Sequence, residues 1–186
     1  MSLDGVVQAP GAPDEDPSGG FAHGGWMVPY ADEATGVAVE ELHSKPIELL
    51  LGRRTYNIRA PYWPHVPEGS PSRSLADMYN SVRKYVASHR PLDPTWNNSH
   101  ALNGDVIEAV RDLKRGDGSN LLTWGSAHLF RQLLGAGLVD ELHLQMFPVI
   151  LGRGLRLFDD NARVAAFTLA KSTISSRGVI ITKYVS

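Results

Sequence analysis

The stretch Ile47-Glu48-Leu49-Leu50-Leu51-Gly52-Arg53-Arg54-Thr55-Tyr56 decides the architecture. Its first five residues form a short apolar run of buried-strand type, ended by a glycine. Two guanidiniums and a hydroxyl follow where the next helix would begin. Helix N-termini offer N–H groups without intrahelical partners and the positive end of a dipole, which favour anions. Arginine adds planar, bidentate recognition of phosphate. A strand ending in such a turn is the pattern of an open α/β sheet, where ligands bind outside the carboxyl ends of the strands. On spacing alone, a solvated basic turn is the competing reading.

The segments on either side alternate in the same way. Ala31 to His43 reads as a helix with Ala34, Val37, Ala38 and Leu42 on one face. Lys84 to Ser88 is a strand. Gly104 to Lys114 is a helix with Val106, Ile107, Val110 and Leu113 inward and Asn103 as its N-cap. Leu121 to Trp124 is a strand that turns at Gly125-Ser126 into a helix carrying Leu129, Phe130, Leu133 and Leu134. Gly135 and Gly137 stop that helix. From Asp140 the pattern becomes strict alternation, with Leu142, Leu144 and Met146 against His143 and Gln145, a strand with two different faces. Phe167 to Thr173 and Val179 to Val185 follow, joined at Arg177-Gly178. Helices interleaved with strands, then a strand-rich end, predict an α/β fold with a mostly parallel sheet and antiparallel C-terminal edge strands.

A chain of 186 residues suits one domain spanning 1–186. Hydrophobic residues at 42% against 20% charged allow a sizeable core. The net charge of −2, from 18 basic and 20 acidic residues, gives no basic footprint for duplex nucleic acid. The absence of cysteine excludes disulfides, thiol nucleophiles and thiolate metal sites. No apolar run approaches the roughly 20 residues that span a bilayer, and the N-terminus does not read as a signal peptide, so a cytoplasmic protein is expected. No histidine pairs at i, i+4 with a glutamate in a zinc motif, so no metal is expected, and His128 and His143 read as surface residues. The stretch from Ala9 to Gly25, with Pro10, Pro13, Pro17 and Gly19-Gly20, reads as a mobile flap rather than a packed element. Within it Asp14, Glu15 and Asp16 read as a solvated acidic cluster.

Further turns resemble the first. Trp124-Gly125-Ser126-Ala127-His128 is again strand, small residues, helix, and small residues let a backbone approach a pyrophosphate. Packing alone also uses glycine in such turns. Ser88-His89-Arg90 closes another strand with a hydroxyl and a guanidinium. Gly152-Arg153-Gly154 follows a strand but has Leu157 where the dinucleotide fingerprint requires its third glycine. Several anion-compatible turns at strand ends argue together for a polyphosphate ligand.

Met1-Ser2-Leu3-Asp4-Gly5, Gly52-Arg53-Arg54-Thr55-Tyr56, Gly125-Ser126, Gly137-Leu138-Val139-Asp140-Glu141-Leu142 and Pro148-Val149-Ile150-Leu151-Gly152-Arg153-Gly154 occur in one order along the chain. This ordered set resembles the dihydrofolate-reductase-like family, in particular the group that includes the reductase (C-terminal) domain of the riboflavin-biosynthesis protein RibD. The resemblance implies a three-layer α/β/α fold and an NADPH site. It assigns Arg53, Arg54 and Thr55, next to Gly52, to cofactor phosphates, and Ser88 and Arg90 to the adenosine 2′-phosphate. Gly125, Ser126 and Ala127 would meet the pyrophosphate, Gly152, Arg153 and Gly154 would border the cofactor, and Asp4 would sit by substrate and nicotinamide. The family places several strand residues ahead of its serine-leucine-aspartate-glycine motif, so a shortened first strand is expected here. The early loop belongs to an uncharacterised branch, so the substrate residues of the riboflavin enzymes do not carry over.

Hydride transfer needs orientation and one proton source. Asp32 opens the first helix, roughly where a dihydrofolate reductase places its acidic residue. As a general acid it would need a pKa raised by burial; as a structural residue it would, with Glu33, favour the helix dipole. Asp4 is its rival. Trp26, Tyr30, Tyr56 and Trp63 are candidates to stack a planar heterocycle of pterin, pyrimidine or flavin-precursor type, although aromatics in this number more often form core. A catalytically inactive nucleotide-binding or regulatory module on the same fold is the alternative. The alternating strand from Leu142 and the C-terminal strands predict an apolar sheet face and a homodimer.

Overall fold

Short apolar strands alternate with helices along the computed structural model, which describes residues 1–160 and 162–186. In chain order the elements are α1 (Glu33–Leu42), β1 (Ile47–Gly52), α2 (Arg53–Arg59), α3 (Arg73–Ser81), β2 (Lys84–Ala87) and β3 (Ser99–Leu102). Then come α4 (Val106–Arg115), β4 (Asn120–Leu122), α5 (Ala127–Gly135), β5 (Glu141–Met146), β6 (Thr168–Ile174) and β7 (Ile180–Val185). The fold is of the expected α/β class, with parallel strands in the middle of the chain and antiparallel strands at its end. Two compact units form, one from Lys45–Gln132 and one from Met1–Ser44 with Leu133–Ser186.

The Lys45–Gln132 unit holds a parallel sheet in the order β3-β2-β1-β4. β1 pairs with β2 from Leu49↔Lys84 to Gly52↔Ala87, and with β4 from Ile47↔Asn120 to Leu49↔Leu122. Leu49, Leu50 and Leu51 are all buried, as a strand covered on both faces requires. Tyr56 and Ala60 pack with Ala76, Tyr79, Trp63, Val66, Val86 and Trp96 into one core. The helix α3 and the four-residue strand β3 have no counterpart among the sequence expectations. The helix α4 is capped by Asp105 rather than Asn103: its Oδ1 accepts from the N–H groups of Ile107 at 2.8 Å and Glu108 at 3.1 Å.

In the unit formed by the two ends of the chain, the sheet order is β5-β7-β6, antiparallel throughout. The β6–β7 turn closes at Gly178, whose φ of 77° favours glycine. Val6, Ala9, Phe21, Trp26, Phe147 and Val179 form the core. The first-strand region makes only isolated bridges, Ser2 parallel to Phe147 and Val6 antiparallel to Arg156. Along α1, Thr35 is buried and Ala34, Ala38 and Leu42 partly so, whereas Val37 is exposed, so the inward face is rotated from the one expected. At its far end Glu41 pairs with Lys171 of β6. After α5 the chain turns at Gly137 (φ 67°), with Leu138 N donating to Leu133 O at 3.0 Å and Gly137 N to Leu134 O at 3.1 Å. That is the Schellman arrangement expected of a glycine stop.

The Ala9–Gly25 stretch departs from its expectation as an unpacked flap. Its ends meet, Gly25 N donating to Ala9 O at 2.9 Å. The Gln8 side-chain amide fastens the interior, with Nε2 donating to Asp16 O at 3.0 Å and Ser18 O at 2.9 Å. Ala9 and Phe21 are buried, and a β-carbon on Gly24 would lie 2.2 Å from Pro13 O. The prolines and glycines that exclude regular structure let the loop fold tightly onto itself. Among the described residues, no helix is long and apolar enough to cross a membrane.

Leu51 is 1% exposed at the centre of the parallel sheet. Leu51→Ala is expected to lower unfolding free energy by about 2–5 kcal/mol in urea titrations, whereas a loss below about 1 kcal/mol would show that the site is not packed as described.

Candidate functional site

Three strand ends converge in the Lys45–Gln132 unit. β1 runs straight into α2 at Gly52-Arg53, and β4 leads through Gly125 and Ser126 into α5. The two turns are tied by reciprocal hydrogen bonds: Gly52 N donates to Ser126 Oγ at 2.9 Å, and Ser126 N donates to Thr55 Oγ1 at 3.0 Å. Gly125 (φ 80°) and Ser126 (φ 55°) are consecutive left-handed residues, and for serine this is a strained conformation of the kind found at functional sites. A β-carbon at Gly125 would meet Thr55 Cγ2 at 3.3 Å. The first intrahelical bond of α5 runs from Phe130 N to Ser126 O at 2.9 Å, so the N–H groups of Ala127, His128 and Leu129 lie outside the helical ladder.

At the end of β2, Ser88 Oγ donates to Arg90 O at 2.8 Å and accepts from Arg90 N at 3.1 Å. Arg53 reaches this turn from α2, its Nη1 donating to Pro91 O at 2.9 Å and Ser88 Oγ at 3.3 Å. Burial, then the charges of Arg131 and Arg54, lower the pKa of His128. Gly52, Arg53, Arg54, Thr55, Ser88, Arg90, Gly125, Ser126 and Ala127 thus gather around three adjoining strand ends with a surplus of positive charge. The N–H groups of Gly52 and Ser126 are taken by the hydroxyls, so Gly52 serves as a hinge between elements rather than as an anion donor.

In the other unit Asp4 is a clamp. Its Oδ1 accepts from Ser2 Oγ at 2.7 Å and Leu151 N at 3.1 Å, and its Oδ2 from Gly152 N at 2.9 Å. Arg156 Nε donates to Asp4 O at 2.9 Å. The serine hydroxyl, then the two backbone N–H groups, outweigh partial desolvation and hold the carboxyl at a pKa of about 2. Arg153 Nη2 donates to Gly19 O at 3.1 Å, and Gly154 (φ 125°) lies so close to Val6 and Phe21 that a β-carbon would fall 2.7 and 2.8 Å from them. Asp4, Gly152, Arg153 and Gly154 are therefore brought together, with the aspartate shaping the turn.

Asp32 is not placed as a general acid. It is the N-cap of α1 in a capping box with Thr35: Oδ1 accepts from Thr35 N at 3.1 Å, while Asp32 N donates to Thr35 Oγ1 at 2.9 Å. Oδ2 accepts from Ser176 Oγ at 2.8 Å and Arg177 N at 3.3 Å in the β6–β7 turn. Desolvation raises its pKa, but the bonds from Thr35, Ser176, Ser175 and Arg177 overcome this and bring it to about 2, the reverse of what a proton donor needs. The aromatic candidates are corrected in the same way. Trp26, Tyr56 and Trp63 are core residues: Trp26 Nε1 donates to Gln8 O at 2.8 Å, Tyr56 OH accepts from Trp96 N at 3.1 Å, and Trp63 meets Tyr79 edge-on at 4.8 Å. Of the four, Tyr30 alone is only partly buried, edge-on to Phe147. Sequence reading missed Arg59, stacked 4.7 Å over Trp124, and the buried Lys84; the sign for the latter is a lysine opening an apolar strand.

The chain belongs to the RibD C-terminal domain family, whose profile matches residues 1–181. An uncharacterised protein of Bacillus subtilis (strain 168), YyaP, is 30% identical over 132 residues, which is 71% of this chain and 70% of that one. Among solved structures, a protein described as a riboflavin-biosynthesis protein from Shewanella sp. PV-4 superposes with a TM-score of 0.67 at 20% identity, covering 100% of this chain and 94% of the other. The deaminase/5-amino-6-(5-phosphoribosylamino)uracil reductase of Thermotoga maritima gives 0.61 at 17% identity, and this chain, covered in full, spans 54% of it. The dihydrofolate reductase of Enterococcus faecalis complexed with NADP(H) gives 0.56 at 13%, with 100% and 91% covered. The fold is that of the dihydrofolate-reductase-like class.

Both depressed carboxylates stabilise the fold where the folded chain keeps them ionised. Their contribution is complete above the ordinary pKa of 3.8 and is lost as pH falls towards about 2. Melting temperature is expected to fall steeply between about pH 4 and pH 2, and Asp4→Asn and Asp32→Asn should each flatten that limb. An unchanged acid limb in both variants would contradict the clamp and cap roles.

Proposed function

We propose that this chain is an NADPH-dependent reductase that delivers a hydride to a small planar heterocycle of pterin, pyrimidine or flavin-precursor type. The observation that carries this reading is the joining of three strand ends into one cationic surface in the Lys45–Gln132 unit, on a chain of the RibD C-terminal domain family. The residues fit a dinucleotide phosphate. Left-handed Gly125-Ser126 leads into the first turn of α5, whose N–H groups lie outside the helical ladder, and Ala127 adds no bulk there. Arg54 and Thr55 flank that turn from α2, and Ser88, whose hydroxyl ties the turn that carries Arg90, places that guanidinium for a 2′-phosphate.

The bound cofactor supplies the hydride, and the protein supplies binding, orientation and electrostatics. Arg53 steadies the Ser88–Pro91 turn, Arg54 and Arg90 offer charge-assisted hydrogen bonds, and the α5 terminus favours negative charge. Family likeness assigns Gly152, Arg153 and Gly154 to the cofactor as well, and Asp4 to the neighbourhood of substrate and nicotinamide. Tyr30 is the remaining candidate to stack a substrate ring. A homodimer and a cytoplasmic location belong to the same proposal. Leu169, Ile174 and Ile180 on the three-stranded sheet are exposed by 51%, 73% and 41%, the apolar surface that a second copy would cover; light scattering at micromolar concentration should give twice the chain mass.

A second reading, a nucleotide-binding module without turnover, is favoured by one observation: Asp4 and Asp32 are both held at a pKa of about 2. Titration of NADPH and NADH separately, followed by a panel of pteridines and pyrimidines, distinguishes the two. The reductase reading expects saturable preference for NADPH and its oxidation by at least one member of the panel; binding without oxidation would leave the module. Arg90→Ala is expected to weaken NADPH binding by roughly 10–100-fold, the size of one charged hydrogen-bonding contact, with NADH little changed. Equal loss for both nucleotides would remove the 2′-phosphate role.

A further inference from the structure

Lys84, the first residue of β2, has 0% exposure, yet the groups that meet its ammonium are carbonyl oxygens and an aromatic face rather than a carboxylate. Nζ donates to Val82 O at 2.7 Å and Asn97 O at 3.0 Å, with Asn80 O at 3.5 Å, and lies 4.6 Å above the Trp96 ring. Burial lowers its pKa to about 8, so it is still mainly charged at neutral pH. Trp96, 1% exposed, is itself fixed: Nε1 donates to Asn80 Oδ1 at 2.7 Å and its backbone N to Tyr56 OH at 3.1 Å. Lys84 N donates to Asn98 O at 2.9 Å, and Asn98 Nδ2 to Ser81 O at 3.0 Å. An apolar side chain would fill this place without desolvating a charge, so packing alone does not call for lysine.

What the lysine joins is the end of α3 and the far end of the loop from Ser88 to Asn98. That loop contains Pro91 and Pro94 and has no regular structure. Its near end is held by Arg53 through Pro91 O and Ser88 Oγ. Its far end is held by the ammonium and by Trp96. Arg90 sits within the near anchor, between Ser88 and Pro91, and the rest of the loop runs from it to the far anchor; its guanidinium must be presented in one geometry to recognise a phosphate in bidentate fashion.

We propose that Lys84, acting with Trp96, is a positioning residue for cofactor specificity: it fixes the Ser88–Asn98 loop so that Ser88 and Arg90 distinguish a 2′-phosphorylated dinucleotide from its unphosphorylated counterpart. This rests on the reading of Ser88 and Arg90 as the 2′-phosphate contacts. A lysine that served only to stabilise the fold would, when replaced, weaken both nucleotides alike or neither.

The experiment measures Kd for NADPH and for NADH on the wild-type chain, Lys84→Met, Trp96→Phe and Arg90→Ala, with circular dichroism to establish folding. Lys84→Met keeps the length and apolar body of the side chain and removes the ammonium. It is expected to raise Kd for NADPH roughly tenfold, the weight of one lost charge-assisted contact, and to leave Kd for NADH within about twofold. Trp96→Phe keeps a ring over Lys84 but loses the bond to Asn80, and should lower the NADPH/NADH preference several-fold; it decides the question if Lys84→Met does not fold. If Arg90→Ala leaves the preference intact, the 2′-phosphate reading fails and the proposal falls with it. If Arg90→Ala abolishes the preference while the folded Lys84 and Trp96 variants keep it, the cofactor reading stands and the positioning role is overturned.

Discussion

Two hydroxyls, those of Thr55 and Ser126, hold together what the sheet hydrogen bonds do not. β1 and β4 pair only from Ile47↔Asn120 to Leu49↔Leu122, so their ladder has ended before either chain reaches its helix. Beyond that point Gly52 N donates to Ser126 Oγ and Ser126 N to Thr55 Oγ1. The exchange requires Ser126 at φ 55° directly after Gly125 at φ 80°, a backbone state that disfavours a side chain by roughly 1–2 kcal/mol. A serine is retained where glycine would be less strained because its hydroxyl is one half of the tie. With the two turns joined, the first turns of α2 and α5 are presented side by side, and cationic residues crowd one region.

The two units treat charge in opposite ways. In the Lys45–Gln132 unit, burial and then the charges of Arg131 on α5 and Arg54 on α2 lower the pKa of His128, so cationic groups bear on that helix start. In the unit built from the chain ends, carboxylates are consumed internally. Asp4 gathers the N–H groups of Leu151 and Gly152, and Asp32 joins the start of α1 to the β6–β7 turn. Carboxylates that accept several N–H and O–H bonds are kept ionised, and this makes them good clamps and poor acids. Aspartates in suggestive sequence positions are here structural joints.

The sequence carried the strand–turn–helix punctuation well, because glycines after apolar runs have a backbone reason to be where they are. β1, α4, α5, β5 and β7 were legible for this reason; of the four anion-compatible turns, those after β1, β2 and β4 belong to one unit, whereas Gly152-Arg153-Gly154 belongs to the other. α3 was not, although Leu75, Ala76, Met78 and Tyr79 have helical spacing, because a segment rich in proline and serine precedes it. β3 was not, because only Leu102 of its four residues is buried and its strand character comes from pairing with β2. The aromatics Trp26, Tyr56 and Trp63 could not be sorted into core or site, since side-chain direction beside a turn depends on packing that no local pattern encodes. The Ala9–Gly25 loop looked open for a related reason. Its stability rests on Gln8, outside the Gly/Pro-rich stretch, whose amide bridges two backbone carbonyls.

The proton remains the part of the proposed reaction that the protein does least to supply. A carboxyl with a pKa of about 2 is protonated in only about one molecule in 10⁵ at pH 7. Neither Asp4 nor Asp32 can therefore act as a stored acid, and lifting either pKa would require breaking the turn it holds. In the proposed reductase the proton is therefore expected from water or from the substrate itself. Such a reaction favours substrates whose reduced product is protonated readily by solvent, and leaves the protein the tasks of aligning the hydride and excluding competing orientations.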